Sequence, residues 1–125
     1  MFKSQVSDIK RAQKEALLLR EISKLFLQIT LDDKELEGLT ISKVKLSSDK
    51  SMCTVYFFSS QGQQDFENRF DRLILYKPSL RKSLSQTLAL RHTPDLRFKF
   101  DTQVEKQLKL EELLNKIKTE EPSEK

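Results

Sequence analysis

The side chains that could do chemistry in this sequence are cations, and they concentrate in one segment. Residues 69–100 contain eight Lys or Arg residues and only two acidic residues, whereas residues 1–68 contain equal numbers of both signs. The eight cations are Arg69, Arg72, Lys77, Arg81, Lys82, Arg91, Arg97 and Lys99. Because clustered positive charge attracts polyanions, the segment predicts a surface for an acidic partner such as a nucleic acid.

Six residues of this segment are candidate phosphate ligands because they flank a predicted break between two helices. They are Lys77, Ser79, Arg81, Lys82, Arg91 and His92. Proline has no backbone N–H and fits the first turn of a helix, so Pro78 predicts that one helix ends and another begins here. The N–H groups of that first turn, the Ser79 hydroxyl and the nearby cations all suit a phosphate. Arg91 and His92 lie one helix length away and would extend the track.

The same residues also have structural explanations, which the sequence leaves open. The cations just after the break could form a solvated helix face. Arg91 could cap the C-terminus of its helix and pair with Asp95 or Asp101. His92, the single histidine, could be structural or solvated. Tyr76 beside the break is the one candidate for stacking on a base.

Two further sets of cations are equally open to either explanation. One face of the first predicted helix carries Lys10, Arg11, Lys14, Arg20 and Lys24. This face is either solvated or a second strip of phosphate contacts. Arg97 and Lys99 alternate with apolar residues on a predicted strand. They would contact a nucleic acid only if no terminal helix covers that side of the sheet.

The composition argues against an enzyme, a metalloprotein and a membrane protein. Catalysis by a nucleophile or an acid–base pair needs several chemical groups brought together, and the chain has one His, one Cys and two Gly residues. These counts also argue against a glycine-rich phosphate loop and a multi-cysteine metal site. The sequence shows no signal-peptide pattern and no apolar run of ~20 residues. We therefore expect a soluble cytoplasmic protein with no cofactor, no bound metal, no small-molecule substrate and no membrane partner.

Hydropathy periods and turn residues predict seven elements that would position the cations. The predicted helices span residues 5–29, 64–76, 78–90 and 102–118, and the predicted strands span residues 39–46, 52–58 and 95–100. The first two strands are joined by a short turn and should form an antiparallel hairpin. The alternation of the first strand changes phase, which indicates either a bulge near Ser42 and Lys43 or a strand that is covered on both faces at one end. The second strand is apolar on both faces, which is typical of a central strand. Residues 1–118 are expected to form one domain, followed by a disordered charged tail at residues 119–125.

Each helix has apolar residues at helical spacing, and these predict the core. In the first helix they are Ile9, Ala12, Ala16, Leu19, Ile22, Phe26 and Ile29, widened by Leu18 and Leu25. In the helices on either side of the break they are Phe66, Phe70, Leu73, Ile74, Leu80, Leu84 and Leu88. In the last helix they are Val104, Leu108, Leu113, Leu114 and Ile117. Cys53, in the second strand, is interpreted as a small buried hydrophobic residue.

Two strands followed by helices favour an α+β fold with a three-stranded sheet, and within it the sequence resembles a known family. The most specific part is Leu90–Asp101, LRHTPDLRFKFD, which is similar to a signature of the ribosome-binding factor A family. Leu80 and Arg81 after the break, and the Leu113–Leu114 pair, also match that family. The resemblance covers residues 1–118. In place of the family's Ala-x-Gly interruption, this chain has Tyr76-Lys77-Pro78.

The resemblance implies a type II K-homology-like domain with a helix–kink–helix at its RNA-binding face. It also implies a non-catalytic, monomeric assembly factor that binds the small (30S) ribosomal subunit and its 16S rRNA. Members of the family aid late maturation of that RNA, including processing at its 5′ end. Proline cannot adopt the backbone conformations that glycine permits, so the local RNA contact at the kink is expected to differ.

A protein-interaction module is the alternative function. The two terminal helices have enough apolar periodicity to dock onto another protein, and the basic segment could meet an acidic partner. The placement of the cations separates the two functions: one continuous stripe would favour nucleic acid, whereas scattered charges would favour protein interaction.

Overall fold

Four α-helices and three strands follow one another in the predicted order, in a computed structural model that describes residues 2–120. The helices are α1 at Phe2–Asp32, α2 at Gln63–Ile74, α3 at Lys77–Leu88 and α4 at Thr102–Glu120, with a short 3₁₀ helix at Lys34–Leu36. The strands are β1 at Leu39–Leu46, β2 at Met52–Ser59 and β3 at Asp95–Phe100. The predicted α+β class with a three-stranded sheet is therefore confirmed.

The sheet has the order β1-β2-β3, so β2 is the central strand, as predicted. β1 and β2 form the predicted antiparallel hairpin, and β3 lies parallel to β2 on its other side. The pairing register shifts between Ile41 and Lys43, which places the predicted bulge at Ser42. There the Ser42 hydroxyl donates a 2.6 Å hydrogen bond to Asp101 Oδ2. The bulge thus ties β1 to the residue that precedes α4.

The core lies between one face of the sheet and helices α1, α2 and α3. Phe57 of β2 is at its centre and has no exposed surface. Its ring centroid lies 5.2 Å from that of Phe26, 5.3 Å from that of Phe98 and 5.9 Å from that of Phe66. These rings come from three other elements, so one side chain joins α1, β3 and α2 to the central strand.

The break between α2 and α3 is a bend of two residues, with Pro78 in the first turn of α3. Tyr76 precedes α3 with φ −89° and ψ −5°, and its backbone N–H donates to the Leu73 carbonyl. Its own carbonyl accepts from the N–H of Leu80. No residue of the bend has a positive φ. The chain therefore turns here without the conformation for which glycine would be needed.

The end of α3 differs from the prediction, which placed it at residue 90. The helix ends at Leu88 because Ala89 adopts a left-handed conformation, with φ 49° and ψ 45°. The N–H groups of Ala89 and Leu90 both donate to the Ser85 carbonyl and close the last turn. Arg91 and His92 consequently lie on a connector after the helix and not at its terminus.

The predicted core stripe of α1 is right from Leu18 onward and wrong before it. Leu18, Ile22 and Phe26 are buried, whereas Ile9 is 58% exposed and both predicted alanines are exposed. The reason is that α1 is much longer than the strands on which it packs. A helix of 31 residues is ~46 Å long, whereas strands of at most eight residues extend ~26 Å. The sheet cannot cover the first turns of α1.

The last helix also departs from its predicted role. Val104 is half-buried, but Leu108, Leu113, Leu114 and Ile117 are all substantially exposed. α4 includes Thr119 and Glu120, and the remainder of the predicted tail lies outside the described residues. None of the helices in residues 2–120 combines the length and hydropathy that a membrane crossing requires.

Cys53 is buried as predicted, and its thiol should be chemically inert in the folded protein. Burial first, and the charge of Glu15 second, raise the pKa of this thiol to about 12. The nucleophilic thiolate is therefore almost absent at neutral pH. We expect no reaction with a thiol-specific reagent at pH 7.5 in native buffer and complete reaction in strong denaturant. A native protein that is labelled within minutes would contradict this burial.

Candidate nucleic-acid interface

Four of the six predicted phosphate ligands line one surface groove. The groove lies between α3 and the connector that follows it, and its volume is about 620 Å³. It is lined by Pro78, Arg81, Lys82, Ser85, Gln86, Arg91, His92 and Thr93. The groove is open to solvent, and its lining contains three permanent cations and no carboxylate. It therefore has the charge and shape to hold a phosphate-bearing chain.

The other two predicted ligands, Lys77 and Ser79, are not part of that lining. Both lie on the first turn of α3, where Ser79 is exposed and Lys77 is half-buried. The structure thus separates the predicted set into four residues that share a groove and two that lie beside it.

Arg81 has a structural role in addition to its position in the groove. Its Nε donates to the Pro94 carbonyl at 3.2 Å, and its Nη2 donates to the Thr93 carbonyl at 3.0 Å. These bonds fasten the connector to α3 and therefore hold Arg91 and His92 across the groove from Lys82. A substitution at Arg81 would disturb the shape of the groove as well as its charge.

Two cations that the predicted set did not include extend this groove. A neighbouring cavity of about 600 Å³ shares the residues Arg81, Arg91, His92 and Thr93, and adds Lys14, Asp49, Lys50 and Ser51. Lys14 comes from α1 and Lys50 from the β1–β2 turn. We name the combined cations and histidine the basic groove. Its members are Lys14, Lys50, Arg81, Lys82, Arg91 and His92.

The β1–β2 turn that carries Lys50 is held by Asp49. One oxygen of Asp49 accepts from the hydroxyls of Ser47 and Ser51 and from the Ser51 N–H. These bonds, the Ser47 hydroxyl first, lower the pKa of Asp49 to about 2. Lys50 itself has a φ of 62°, which a tight turn requires. The Ser51 carbonyl accepts from the Asp95 N–H at 2.9 Å, which joins the turn to the start of β3.

The structural alternative for Arg91 is not what the structure shows. Asp95 accepts from the N–H of Leu96, and Asp101 accepts from Ser42 and from the N–H groups at the start of α4. Within residues 2–120, Arg91 forms no ion pair with either carboxylate. Its guanidinium is exposed and available to a ligand.

Tyr76, the candidate for base stacking, belongs instead to a polar cluster under the bend. Its hydroxyl donates a 2.6 Å hydrogen bond to Asp33 Oδ2, which also accepts from Arg72 Nε at 2.8 Å. The ring is half-buried and packs against the core. The cluster links the segment after α1 to the α2–α3 corner, so Tyr76 and Arg72 position the bend.

This cluster predicts a pH-dependent contribution to stability. The hydrogen bond from Arg72, followed by that from Tyr76, lowers the pKa of Asp33 below its ordinary value of 3.8. A carboxyl group with a lowered folded-state pKa stabilises the fold above its ordinary pKa, and this contribution disappears as the pH falls through the lowered value. We expect Asp33→Asn to reduce the Tm at pH 7 and to show a smaller difference from the wild type at pH 2.

Circular dichroism melts at the two pH values would measure both differences. Asp71→Asn, an exposed change on α2, is the matched control and should leave the Tm unchanged at both. An Asp33→Asn variant that melts with the wild type at pH 7 would show that the cluster contributes nothing.

The cations of the basic segment do not form the single continuous stripe that would favour nucleic acid, although three of them share one groove. Arg69 pairs with Asp65, and Arg72 pairs with Asp33. Arg81, Lys82 and Arg91 lie in the basic groove, while Arg97 and Lys99 project from the outer face of the sheet. The charge therefore separates into structural pairs and two exposed surfaces, a division that sequence alone did not predict.

The described part of the chain contains no group of three or more His, Cys, Asp and Glu side chains that could hold a metal ion. The chemistry of the basic groove is thus that of fixed cations and one histidine. Such groups bind phosphate oxygens through charge and hydrogen bonds.

Sequence comparison places these features in a family. The family model described as Ribosome-binding factor A matches residues 10–114. A Ribosome-binding factor A of Pseudothermotoga lettingae is 35% identical over 112 residues, which cover 86% of this chain and 94% of that protein. One of Mycoplasmopsis pulmonis is 35% identical over 116 residues, which cover 92% and 99%.

A solved structure shows the same fold. The crystal structure of ribosome-binding factor A from Thermus thermophilus superposes with a TM-score of 0.60 at 28% sequence identity. The match covers 70% of this chain and 92% of the other. The family match includes the α2–α3 bend, β3 and every member of the basic groove. This chain belongs to the ribosome-binding factor A family.

Proposed function

We propose that this protein is a non-catalytic ribosome assembly factor that binds the small (30S) subunit through its 16S rRNA. In this proposal it assists late maturation of that RNA, including processing of its 5′ end. It acts in the cytoplasm as a monomer, without a cofactor or a small-molecule substrate. Family membership supports a ribosomal partner, since the relatives are named for binding the ribosome.

The observation that carries the RNA part of the proposal is the basic groove. Six residues from α1, the β1–β2 turn, α3 and the following connector converge there. Asp49 is the one acidic residue among the lining residues, and it is engaged by the turn. A phosphate chain entering the groove would meet cations on both walls and release counterions, which gives salt-dependent affinity.

The α2–α3 corner is proposed to act as the helix–kink–helix of a K-homology-like domain formed by residues 1–118. The first turn of α3 presents Lys77 and Ser79 next to the groove, and Pro78 forms part of the groove wall. RNA that follows the groove past Pro78 would reach those two residues. We propose that all six predicted ligands contact RNA, with Arg81 also shaping the groove.

Co-sedimentation tests this function. The purified protein would be centrifuged with isolated 30S subunits, 50S subunits and 70S ribosomes at low and at high salt. We expect pelleting mainly with free 30S subunits, and less of it at high salt. Equal pelleting with all three particles would show a generic basic protein, and no pelleting at either salt would refute the proposal.

A protein-interaction module is a second candidate because the large apolar side chains of α4 are uncovered. Leu108, Leu110, Leu113, Leu114 and Ile117 are each at least 44% exposed. Lysine side chains of the basic groove could also meet an acidic protein. Salt-sensitive pelleting with ribosome-free 16S rRNA would favour the RNA function. If the protein binds 30S subunits only when their ribosomal proteins are present, that result would favour the protein-interaction function.

A further inference from the structure

The outer face of the sheet carries a second group of cations arranged in register. Lys45 pairs with Thr54, and Thr54 pairs with Arg97, so these residues form one row across the three strands. Two residues along β2, Tyr56 pairs with Lys43 and with Lys99 to form the next row. We name Lys43, Lys45, Arg97 and Lys99 the sheet cations.

Backbone geometry fixes the spacing of the sheet cations. The Cα atoms at the two ends of a row lie ~10 Å apart, because two strand spacings of ~4.8 Å separate them. Successive rows lie ~7 Å apart along the strands. Four positive side chains therefore surround a small patch with Thr54 and Tyr56 at its centre.

The sheet cations are exposed or half-buried, and the buried carboxylate of Asp101 lies close enough to Lys43 for the two charges to attract. Helices α1, α2 and α3 pack on the opposite face of the sheet. Lys45, Arg97 and Lys99 are exposed. Among residues 2–120, none of the four sheet cations forms an ion pair with a carboxylate. Asp95 is the one exposed acid on the same side of β3, and it lies at the end of that strand.

Lys43 is held in place by uncharged groups. Its Nζ lies 4.9 Å from the centroid of the Tyr56 ring and donates a 2.8 Å hydrogen bond to Gln103 Oε1. A lysine ammonium has three N–H donors, so donors remain for a further acceptor. Because its position is already fixed, less side-chain entropy is lost when it binds an anion.

We propose that the sheet cations bind the phosphate backbone of an RNA strand and form a second RNA contact separate from the basic groove. Four cations that form no ion pair within residues 2–120 surround a polar centre and match the regular negative charge of that backbone. The contact would be independent of sequence, since Lys43 already covers a face of the Tyr56 ring and phosphates carry no base identity.

The outer face of the sheet adjoins the basic groove, so one RNA strand could contact both surfaces. β2 begins directly after the turn that carries Lys50, and β3 begins directly after the connector that carries Arg91 and His92. The groove therefore lies at the end of the sheet where both strands start. One RNA strand could pass around that end, from the groove to the row of Lys45 and Arg97. The inference goes beyond the proposed function, because it assigns RNA contact to a surface outside the groove.

A charge-reversal pair tests the inference. Lys45→Glu/Arg97→Glu changes two exposed sheet cations, and Lys116→Glu/Lys118→Glu makes the same change in net charge on exposed positions near the end of α4. Binding of fluorescent poly(U) RNA would be measured by anisotropy over a salt series, with circular dichroism as the folding check. We expect the sheet pair to lose affinity at least about tenfold and to reduce the salt slope by about 1.4, or ~0.7 for each phosphate contact. The α4 pair should lose no more than about twofold, because its charges lie away from the contact.

Three results would overturn the inference: a folded sheet variant within about twofold of the wild type, an equal loss from the α4 variant, or a loss of binding to polyglutamate but not to poly(U). The last result would indicate an acidic polypeptide as the partner.

A parallel variant, Lys82→Glu/Arg91→Glu, keeps the two proposals separate. If it binds 30S subunits normally while the sheet variant loses poly(U), the groove assignment fails and the sheet inference stands.

Discussion

Reversing the charge of Lys82 and Arg91 is expected to weaken binding to 30S subunits by about a hundredfold at low salt. Each opposite charge pair at ~4 Å contributes ~1 kcal/mol even in water, and each reversal replaces an attraction with a repulsion. The two changes together amount to ~4 kcal/mol without screening, and salt at a Debye length of ~10 Å reduces this to ~3 kcal/mol, or about two powers of ten in affinity. Both side chains are exposed and line the groove, and neither holds the fold together through an ion pair within residues 2–120.

The choice of these two residues follows from the structure. Arg81 would be a poor choice, because its hydrogen bonds to the carbonyls of Thr93 and Pro94 would be lost with its charge. The Lys116→Glu/Lys118→Glu variant of α4 is again the matched control for net charge. Affinity would be read from co-sedimentation at a series of protein concentrations. A folded groove variant that binds as tightly as the control would remove the groove from the interface.

Replacing Phe57 with alanine is expected to cost about 3–5 kcal/mol of unfolding free energy. The side chain is fully buried and contacts the rings of Phe26, Phe66 and Phe98. Its removal would leave a cavity between elements that cannot close around it without moving β2. Since single domains have only ~5–15 kcal/mol of stability, the variant should unfold at a much lower urea concentration.

Leu75→Ala is the matched control for the loss of an apolar side chain. Leu75 is 70% exposed, so its removal should change the unfolding free energy by no more than ~0.5 kcal/mol. Equilibrium urea unfolding followed by circular dichroism would compare both variants with the wild type. An equal midpoint for Phe57→Ala and Leu75→Ala would contradict the assignment of Phe57 to the centre of the core.

Much of the fold could be predicted because strand and turn signals are local. The alternation of Leu96, Phe98 and Phe100 with charged residues specifies one buried face. The change of phase in β1 predicts the bulge that the structure has at Ser42. Pro78 marks the helix break for the simple reason that it lacks an N–H group. Each of these signals depends on neighbouring residues alone.

The predictions that were wrong concern features that depend on what an element packs against, which neighbouring residues in the sequence do not reveal. Ile9 and Leu113 have the spacing of core residues, yet both are exposed. The sheet is too short to cover the start of α1, and α4 contributes no residue to the core. The end of α3 shifted because Ala89 adopts a left-handed conformation that non-glycine residues seldom adopt. Tyr76 is a stacking candidate by its position beside the break, but its hydrogen bond to Asp33 holds it in the polar cluster under the bend.

The candidate site was only partly predictable for the same reason. Arg81, Lys82, Arg91 and His92 are close in sequence, so a local charge count could find them. Lys14 and Lys50 lie far away in the chain and come to the groove through the packing of α1 and the position of the hairpin turn. The sequence places Lys14 on a helix face that is either solvated or a strip of phosphate contacts, and no local pattern singles out Lys14 within that face or Lys50 within its turn.

The most direct test of the central claim is cleavage of 16S rRNA by an iron chelate tethered to one cysteine in the basic groove. Cys53 is buried and should not accept the probe, so Gln86→Cys, an exposed position in the groove lining, would carry it. Hydroxyl radicals from the chelate cut RNA that lies close to the labelled residue. We predict localised cuts in 16S rRNA from Gln86→Cys bound to 30S subunits, and none from the wild type treated with the same reagent. A labelled protein that pellets with 30S subunits but cuts no 16S rRNA would contradict the claim that the groove lies against RNA.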